Sequence, residues 1–151
     1  MTPIHALKHR QLRGPRLSRG LAAVEFVIAV PVLLLVALAV AELGRAFVQY
    51  DTLSYSVRNG VRFLSENAVA GGVVDVSGAE MQAQNLVVYG NVAGTGDPVL
   101  PGFAVGEVEV VPAGNNRIEV RATYDYQPLI GMAVLPTLLT MRVVVTMRAI
   151  N

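Results

Sequence analysis

The chain has 151 residues, of which 53% are hydrophobic and 15% are charged, a balance that excludes an intrinsically disordered protein. It has no cysteine, which excludes a disulfide framework and thiolate metal sites. Residues 1–20 carry five Lys or Arg and no acid, whereas residues 21–151 carry seven Arg and eleven acids. The larger part is therefore mildly acidic and offers no basic surface for nucleic acid.

The side chains available for catalysis are few. Both histidines, His5 and His9, lie in the basic leader, and residues 21–151 contain no His, Cys, Lys or Trp. This excludes a Ser–His or Cys–His nucleophile pair and an imidazole metal site in that part. Glu107 and Glu109 stand two residues apart among valines, which predicts one solvent-facing side of a strand. We expect no enzyme activity, no cofactor and no bound metal.

The main feature of the sequence is a membrane-length apolar stretch over residues 20–42, GLAAVEFVIAVPVLLLVALAVAE. Residues 21–43 are long enough for a transmembrane helix, which needs about 20 residues to cross a hydrocarbon core of about 30 Å. The five Lys and Arg of the leader all precede this span. The positive-inside rule therefore places the N-terminus in the cytoplasm and the residues after Glu42 on the other side.

Two residues inside the span are unusual for lipid. Glu25 is the one charged residue between Arg19 and Glu42, and a carboxylate in a membrane segment marks a candidate functional site. The alternative is an interfacial carboxylate that reaches the headgroups and has no role. Pro31 removes a helix hydrogen bond, so we expect a kink, which is either simply tolerated or a weak point for leaving the bilayer.

The order of these features resembles the signal of prepilins, with a basic leader, Gly20, and Glu25 five residues later. The residues that follow are similar to TadE-like pseudopilins of the tight-adherence (Flp) pilus system. The block AAVEF at residues 22–26, Pro31, and the block ELGRA at residues 42–46 carry this resemblance.

This resemblance implies a role in pilus assembly. A prepilin peptidase would cut between Gly20 and Leu21, and the new α-amino group of Leu21 would pair with Glu25 of a neighbouring subunit. The implied partners are this peptidase, other pilins and pseudopilins, the inner-membrane pilus assembly platform and membrane lipid, with no nucleic acid. The implied location is the inner membrane, with a single span and a periplasmic C-terminal domain. A place in the fibre, at its tip or in the membrane is compatible with the resemblance.

Two alternatives remain open from the residues themselves. In a secreted or membrane-anchored envelope binding module, residues 26–38 would be the apolar region of an ordinary signal peptide, with Ala39-Val40-Ala41 as its cleavage site. In a single-span anchor, the chain would never be cut. Glu25 beside that apolar region and Pro31 inside it argue against the signal peptide.

The helix is expected to continue beyond the span as an amphipathic extension. Apolar residues recur there at spacings of three and four, which predicts one buried stripe with Glu42 off it. The members of this stripe are Leu43, Phe47, Tyr50, Ser54, Val57, Val61 and Leu64. Arg58 and Arg62 form either a solvated face or a docking patch for an acidic partner.

The rest of the chain is expected to form a small sheet and a short helix. Ser77 and Glu80 match a weak capping box before a helix that ends near Tyr89, and a loop rich in Gly and Pro follows. From Val105 the apolar residues alternate, which predicts two strands joined by the turn PAGNN and then a last strand. Arg142 and Arg148 of that strand are expected to pair with acids of the strand before it.

The predicted fold class is α+β, with a long N-terminal transmembrane and amphipathic helix packed on a small antiparallel β-sheet, as in pilins. The predicted parts are a cleaved leader at residues 1–20, a transmembrane helix at 21–43, its amphipathic extension at 44–68 and a periplasmic α+β domain at 69–151.

Overall fold

The computed structural model describes residues 17–70, 73–128 and 139–149, and it has the predicted α+β fold. The bounds of its elements are α1 Leu17–Asn67, β1 Val69–Ala70, β2 Val73–Val74, α2 Glu80–Tyr89, a 3-10 turn Val105–Glu107, β3 Val108–Pro112, β4 Arg117–Asp125 and β5 Thr140–Arg148. The chain divides into two units, residues 1–38 and 39–151. The finer boundaries expected from the sequence stay predictions.

The longest element is α1, with 51 residues. It begins at Leu17, so its first four residues lie within the predicted leader of residues 1–20. Leucine and arginine are good helix formers, and the single glycine there, Gly20, costs only about 1 kcal/mol relative to alanine. The helix continues through Pro31 and ends at Asn67, where the sequence predicted its end. A kink at Pro31 stays a prediction.

The strands β3, β4 and β5 form the predicted antiparallel meander, in that order. Val120 at the centre of β4 pairs with Val110 on one side and Val145 on the other. The predicted turn joins β3 to β4 and holds residues 114–116 at positive φ. Glycine and asparagine adopt this conformation most readily, which explains the Gly-Asn-Asn sequence of the turn.

One face of this sheet is buried, as the alternation predicted, because successive side chains of a strand point to opposite faces. The buried or half-buried side chains on it are Val108, Val110, Ile118, Val120, Ala122, Tyr124, Met141, Val143, Val145 and Met147. On the outer face Arg121 forms ion pairs with Glu119 and Glu109. The period of two thus fixes which side of each strand meets the core.

Two expectations about charged residues near the sheet are wrong. Arg142 and Arg148 lie opposite Thr123 and Arg117 of β4, so neither faces an acid across the strands. The register that buries the valines sets these pairs, since a shift by one residue would turn every buried side chain outward. Glu107 lies in the 3-10 turn rather than on a strand, where its carboxylate accepts a backbone N–H three residues earlier at 2.8 Å.

The core of the second unit lies between the inner face of the sheet, α2 and one face of α1. The helical side chains in it are Ala46, Leu53, Val57, Val61, Leu64, Ala83, Val87 and Val88. Phe103 and Tyr124 meet edge to face, with ring centroids 5.8 Å apart. The predicted packing of the amphipathic extension on the sheet is therefore confirmed.

The buried face of α1 differs from the predicted stripe in its first half. Val57 and Val61 are buried as predicted, but Leu43, Phe47 and Tyr50 are exposed by 54%, 66% and 46%. The residues that take their places in the core are Glu42, Ala46, Gln49 and Leu53. The inward side of this part of the helix is the more polar of the two, so hydrophobicity alone does not select it.

The short helix α2 forms where it was expected, but its predicted capping box is absent. The residue before α2 is Ala79, and no side chain caps the helix. Ser77 instead donates its hydroxyl and its backbone N–H to the Asp75 carboxylate, and these hydrogen bonds lower the pKa of Asp75. The helix ends at Gly90, whose φ of 71° suits a left-handed C-terminal residue.

The two helices pack closely at Gly60. A Cβ at this position would overlap Cγ2 of Val87, which is fully buried. A Cβ at Gly44, in an earlier turn of the same helix, would meet nothing within 4 Å. Glycine is therefore required at one of these two helical positions and not at the other.

We predict that Gly60→Ala lowers the free energy of unfolding by about 1–3 kcal/mol, the usual cost of overpacking a core. Val87 is β-branched and has few rotamers with which to move aside. Gly44→Ala is the matched control and should be neutral or stabilising by up to about 1 kcal/mol. Thermal unfolding of the full chain in detergent, followed by near-UV circular dichroism of its tyrosines, measures both. Equal melting temperatures for the two variants would contradict this packing.

Candidate functional site

The first candidate region is the apolar part of α1. Between Gly20 and Asn67 this helix contains an 18-residue window with a mean hydropathy of 2.8, none of which is buried within the protein. The helix is thus long and apolar enough to cross a membrane. An apolar helix that the protein leaves uncovered needs lipid or other helices around it, because large exposed apolar surfaces are rare on soluble proteins.

The residues predicted to act in processing and assembly all lie on this uncovered helix. Gly20 and Leu21 are exposed, Leu21 by 73%. Glu25 lies in a shallow groove of the helix surface whose other lining residues are Ile28, Ala29, Val32 and Leu33. Pro31 is exposed inside the helix. The structure therefore leaves the proposed cleavage position and the carboxylate on the surface of the first unit, where another molecule can reach them.

The second candidate region lies at the start of the second unit, where α1 meets the end of β4. Glu42 is 7% exposed, although it is an acid in an apolar helix. The Tyr126 hydroxyl donates a hydrogen bond to the Glu42 carboxylate and also contacts its backbone carbonyl oxygen at 3.3 Å. Tyr126 is itself 5% exposed. These contacts fasten the end of the sheet to one turn of the helix.

Burial and the neighbouring carboxylate change the chemistry of this tyrosine. Burial, the hydrogen bond to Glu42 and the charge of Glu42 together raise the pKa of Tyr126 to about 12. The Arg45 guanidinium nearby acts in the opposite direction on the same pKa. The hydroxyl therefore stays protonated and donates its hydrogen bond at every physiological pH.

Two further polar atoms on this side of α1 are buried and have no hydrogen-bond partner among the residues that the structure describes. They are Nη1 of Arg45 and Oε1 of Gln49, which lie one turn apart along the helix. Together with Glu42 they make the inward side of α1 polar where the second unit begins. Leu53 is the first large apolar residue after them on this side. The inward side of the helix thus changes from polar to apolar as it enters the core.

Beside this polar cluster lies an apolar groove between α1 and the start of β5, the α1–β5 groove. Its lining residues are Leu43, Ala46, Phe47, Tyr50, Leu139, Thr140, Met141 and Arg142, and it encloses about 360 Å³. Leu43, Phe47 and Tyr50, which were expected in the core, form its helical wall. The groove therefore exists because α1 turns a different face toward the core from the one that the sequence predicted.

The outer face of the sheet carries the other cluster of charges. A broad polar depression there is lined by Glu107, Glu109, Arg121 and Arg142, among others. Arg121 already pairs with two glutamates, so most of this charge is neutralised within the sheet. Across the described ranges, the acidic side chains form no group of three or more that could hold a metal ion.

Comparison with known protein families gives a match to most of α1. Residues 20–62 match the family model of TadE-like proteins. This segment of the chain is similar to TadE-like proteins. This confirms the resemblance that the blocks at residues 22–26 and 42–46 indicated. A search of curated proteins and a search of solved structures each found no match.

The TadE-like segment, residues 20–62, contains both candidate regions of α1 but not the sheet. Glu42 and Arg45 belong to it, whereas Tyr126 lies outside it. The pairing of Glu42 with Tyr126 was missed from the sequence. Two signals were present: Glu42 lies on the same side of the helix as Ala46 and Leu53, and Tyr126 continues the buried alternation of β4.

We predict that Tyr126→Phe lowers stability at pH 8 by about 1–3 kcal/mol, because a buried carboxylate loses a donor. The folded-state pKa of Tyr126 is raised, so its contribution is fully present below pH 10 and is lost as the pH rises toward about 12. The difference between the variant and the wild type should therefore shrink between pH 10 and 12.

Chemical unfolding at a series of pH values, in detergent, measures this difference. Tyr55→Phe is the control, because Tyr55 is 69% exposed and should show no deficit at pH 8. A Tyr126→Phe deficit that stays constant up to pH 12 would show that the hydrogen bond does not depend on the tyrosine proton.

Proposed function

We propose that this chain is a pseudopilin, or minor pilin, which a prepilin peptidase processes and which acts in assembly of a tight-adherence (Flp) pilus. The observation that carries this proposal is the TadE-like segment, in which an uncovered apolar helix with a glutamate near its start leads directly into a folded domain. The basic leader before Gly20 supports a cytoplasmic N-terminus. The domain that begins at Ala39 then lies in the periplasm.

Glu25 is the residue on which assembly depends in this proposal. A carboxylate between packed apolar helices is strongly disfavoured unless a positive group pairs with it. Cutting after Gly20 creates such a group, the α-amino cation of Leu21. Within one chain the two are about one helical turn, or 6 Å, apart along the axis, which strains a direct pair. A neighbouring subunit shifted by a few residues pairs with it more directly.

The remaining parts of the proposal concern its chemistry and partners. We propose a structural role without catalysis, since residues 21–151 supply only carboxylates as acid or base groups. Its partners are then the peptidase, other pilins and pseudopilins, the inner-membrane assembly platform and lipid. Arg62 pairs with Glu66 at 3.1 Å, which leaves Arg58 as the more available cation for a partner.

The signal-peptide alternative has less support from the fold. Cleavage after Ala41 would make Glu42 the new N-terminal residue and would place an α-amino cation beside a residue that is 7% exposed. Burying such a charge is costly without further partners. It would also remove the helical turn that precedes the contact of Glu42 with Tyr126.

We predict cleavage between Gly20 and Leu21. Intact mass and N-terminal sequencing of the protein from membranes should give a chain that begins at Leu21. Gly20→Arg should remain uncut, because a small residue is needed there, whereas Gly20→Ala should be cut in part. A chain that begins at Glu42 would establish the signal peptide, and one that begins at Met1 the unprocessed anchor.

We predict that Glu25→Leu is inserted and cut normally but fails to join the complex with other pilins, because the pairing charge is gone. Val32→Leu, in the same helix groove, is the matched control and should assemble normally. Co-purification with the other pilins, a cleavage blot and pilus counts measure the three steps. Normal piliation with Glu25→Leu would show that Glu25 is an interfacial carboxylate without a role in assembly.

A further inference from the structure

The α1–β5 groove lies where the helix leaves the predicted span. Two placements of the bilayer bracket this point. A span of about 20 residues that begins at Leu21 ends near residue 41, and one that begins after Glu25 ends near residue 45. The polar layer outside the hydrocarbon adds about 5–8 Å on each side, or about four residues of helix. Leu43 therefore falls at the edge of the hydrocarbon or in the headgroup layer in both placements, Phe47 falls in the headgroup layer in the second, and Tyr50 lies just beyond that layer.

The sheet reaches the same level as these helical residues. Tyr126 at the end of β4 contacts Glu42, and its backbone N–H donates to the carbonyl oxygen of Leu139 at 3.0 Å. Leu139 precedes β5 and is 50% exposed, although it lies on the side of the strand that faces the core further along. The end of the sheet that carries Leu139 is thus held near the turn of α1 that carries Glu42.

The contact between Tyr126 and Glu42 also explains how the Glu42 carboxylate is tolerated close to the edge of the hydrocarbon. In both placements Glu42 lies within a few residues of the hydrocarbon edge, where an exposed carboxylate is disfavoured. The protein covers it instead and supplies the Tyr126 hydroxyl as a donor. Polar groups at this level are turned inward, and apolar groups are turned outward.

We propose that the α1–β5 groove rests on the outer surface of the membrane, with Leu43, Phe47 and Leu139 among the acyl chains and headgroups. This rests on the proposed anchoring of the chain by residues 21–43. Tyr50 at the groove has the apolar ring and polar hydroxyl of residues that favour the membrane interface. Arg142 at its edge supplies a cation for lipid phosphate, with an apolar stem that can lie along the lipid.

The observations favour lipid over a second copy of the chain. The outward apolar side continues without interruption from the predicted span into the groove, since Val40, Leu43 and Phe47 are all more than half exposed. Arg142 at the edge of the groove is a cation, and anionic lipid offers phosphate to it along the whole membrane surface. The domain then lies against the bilayer before any assembly begins.

The test uses the absence of cysteine, which allows a single spin label to be placed at will on the full chain. Leu139→Cys reports on the groove, and Val144→Cys on the same strand is its matched control, with exposures of 50% and 48%. Leu34→Cys, 58% exposed in the first unit, reports on the span itself. Each labelled protein is reconstituted in vesicles of phosphatidylethanolamine and phosphatidylglycerol. Relaxation by oxygen, which concentrates in lipid, is compared with relaxation by a water-soluble nickel chelate.

The proposal expects a high ratio of oxygen to nickel relaxation at Leu34, an intermediate ratio at Leu139 and a low ratio at Val144. A ratio at Leu139 equal to that at Val144 overturns it, while a high ratio at Leu34 in the same experiment leaves the membrane anchor intact. A low ratio at Leu34 overturns the anchor itself. Protection of the Leu139 label from both reagents shows that protein rather than lipid covers the groove, and this also overturns the proposal.

Discussion

The hydrogen bond between Tyr126 and Glu42 joins positions that are 84 residues apart, and the organisation of the second unit depends on it. It brings the end of β4 onto the first turns of α1 that the domain covers. Because Tyr126 also holds Leu139 through the backbone, the start of β5 comes to the same place. One buried polar contact therefore brings the end of β4 and the start of β5 to the turn of α1 that carries Glu42.

A buried hydrogen bond to a carboxylate is stronger than one between neutral groups, and leaving either partner alone is costly. That cost selects one rotation of α1 about its axis. With Glu42 inward, the residues one and two turns later on the same side are small or polar, and Leu53, Val57 and Val61 follow as core residues. The large residues Leu43 and Phe47 are then forced outward. The inward polar cluster and the outward apolar groove have the same origin.

Glu25 and Glu42, which both belong to α1, have different surroundings. Glu42 is satisfied inside the folded chain, whereas Glu25 stands exposed on an apolar surface that the protein does not cover. In an envelope protein of the proposed kind, the two parts of the helix then have different roles. Its later part holds the domain, and its earlier part remains available to lipid and to neighbouring helices. The TadE-like segment extends over both parts, which is consistent with a helix that is specified as one unit.

The sequence by itself determined the elements and the family resemblance. The length of the apolar run, the helix end at Asn67 and the alternation of β4 and β5 follow from local patterns in the sequence. Helices and strands space their apolar residues differently, so the spacing indicates which element forms. The signals at Gly20 and Glu25 are likewise local. Their roles remain proposals, because they involve other molecules.

Tertiary structure decided the rotation of α1, the capping of α2 and the pairs on the sheet. The sequence predicted Leu43, Phe47 and Tyr50 in the core because they are apolar, but the side that turns inward there carries Glu42, Ala46 and Gln49, so hydrophobic periodicity indicated the wrong side. Ser77 donates its hydroxyl to Asp75 instead of accepting a hydrogen bond at the start of α2, and Arg142 lies opposite Thr123 because the register of β4 and β5 places it there. In each case the conformation depends on a partner that is remote in the chain or that competes with another nearby partner. A contact such as that of Tyr126 with Glu42 has no periodic signature, so only the folded chain decided it.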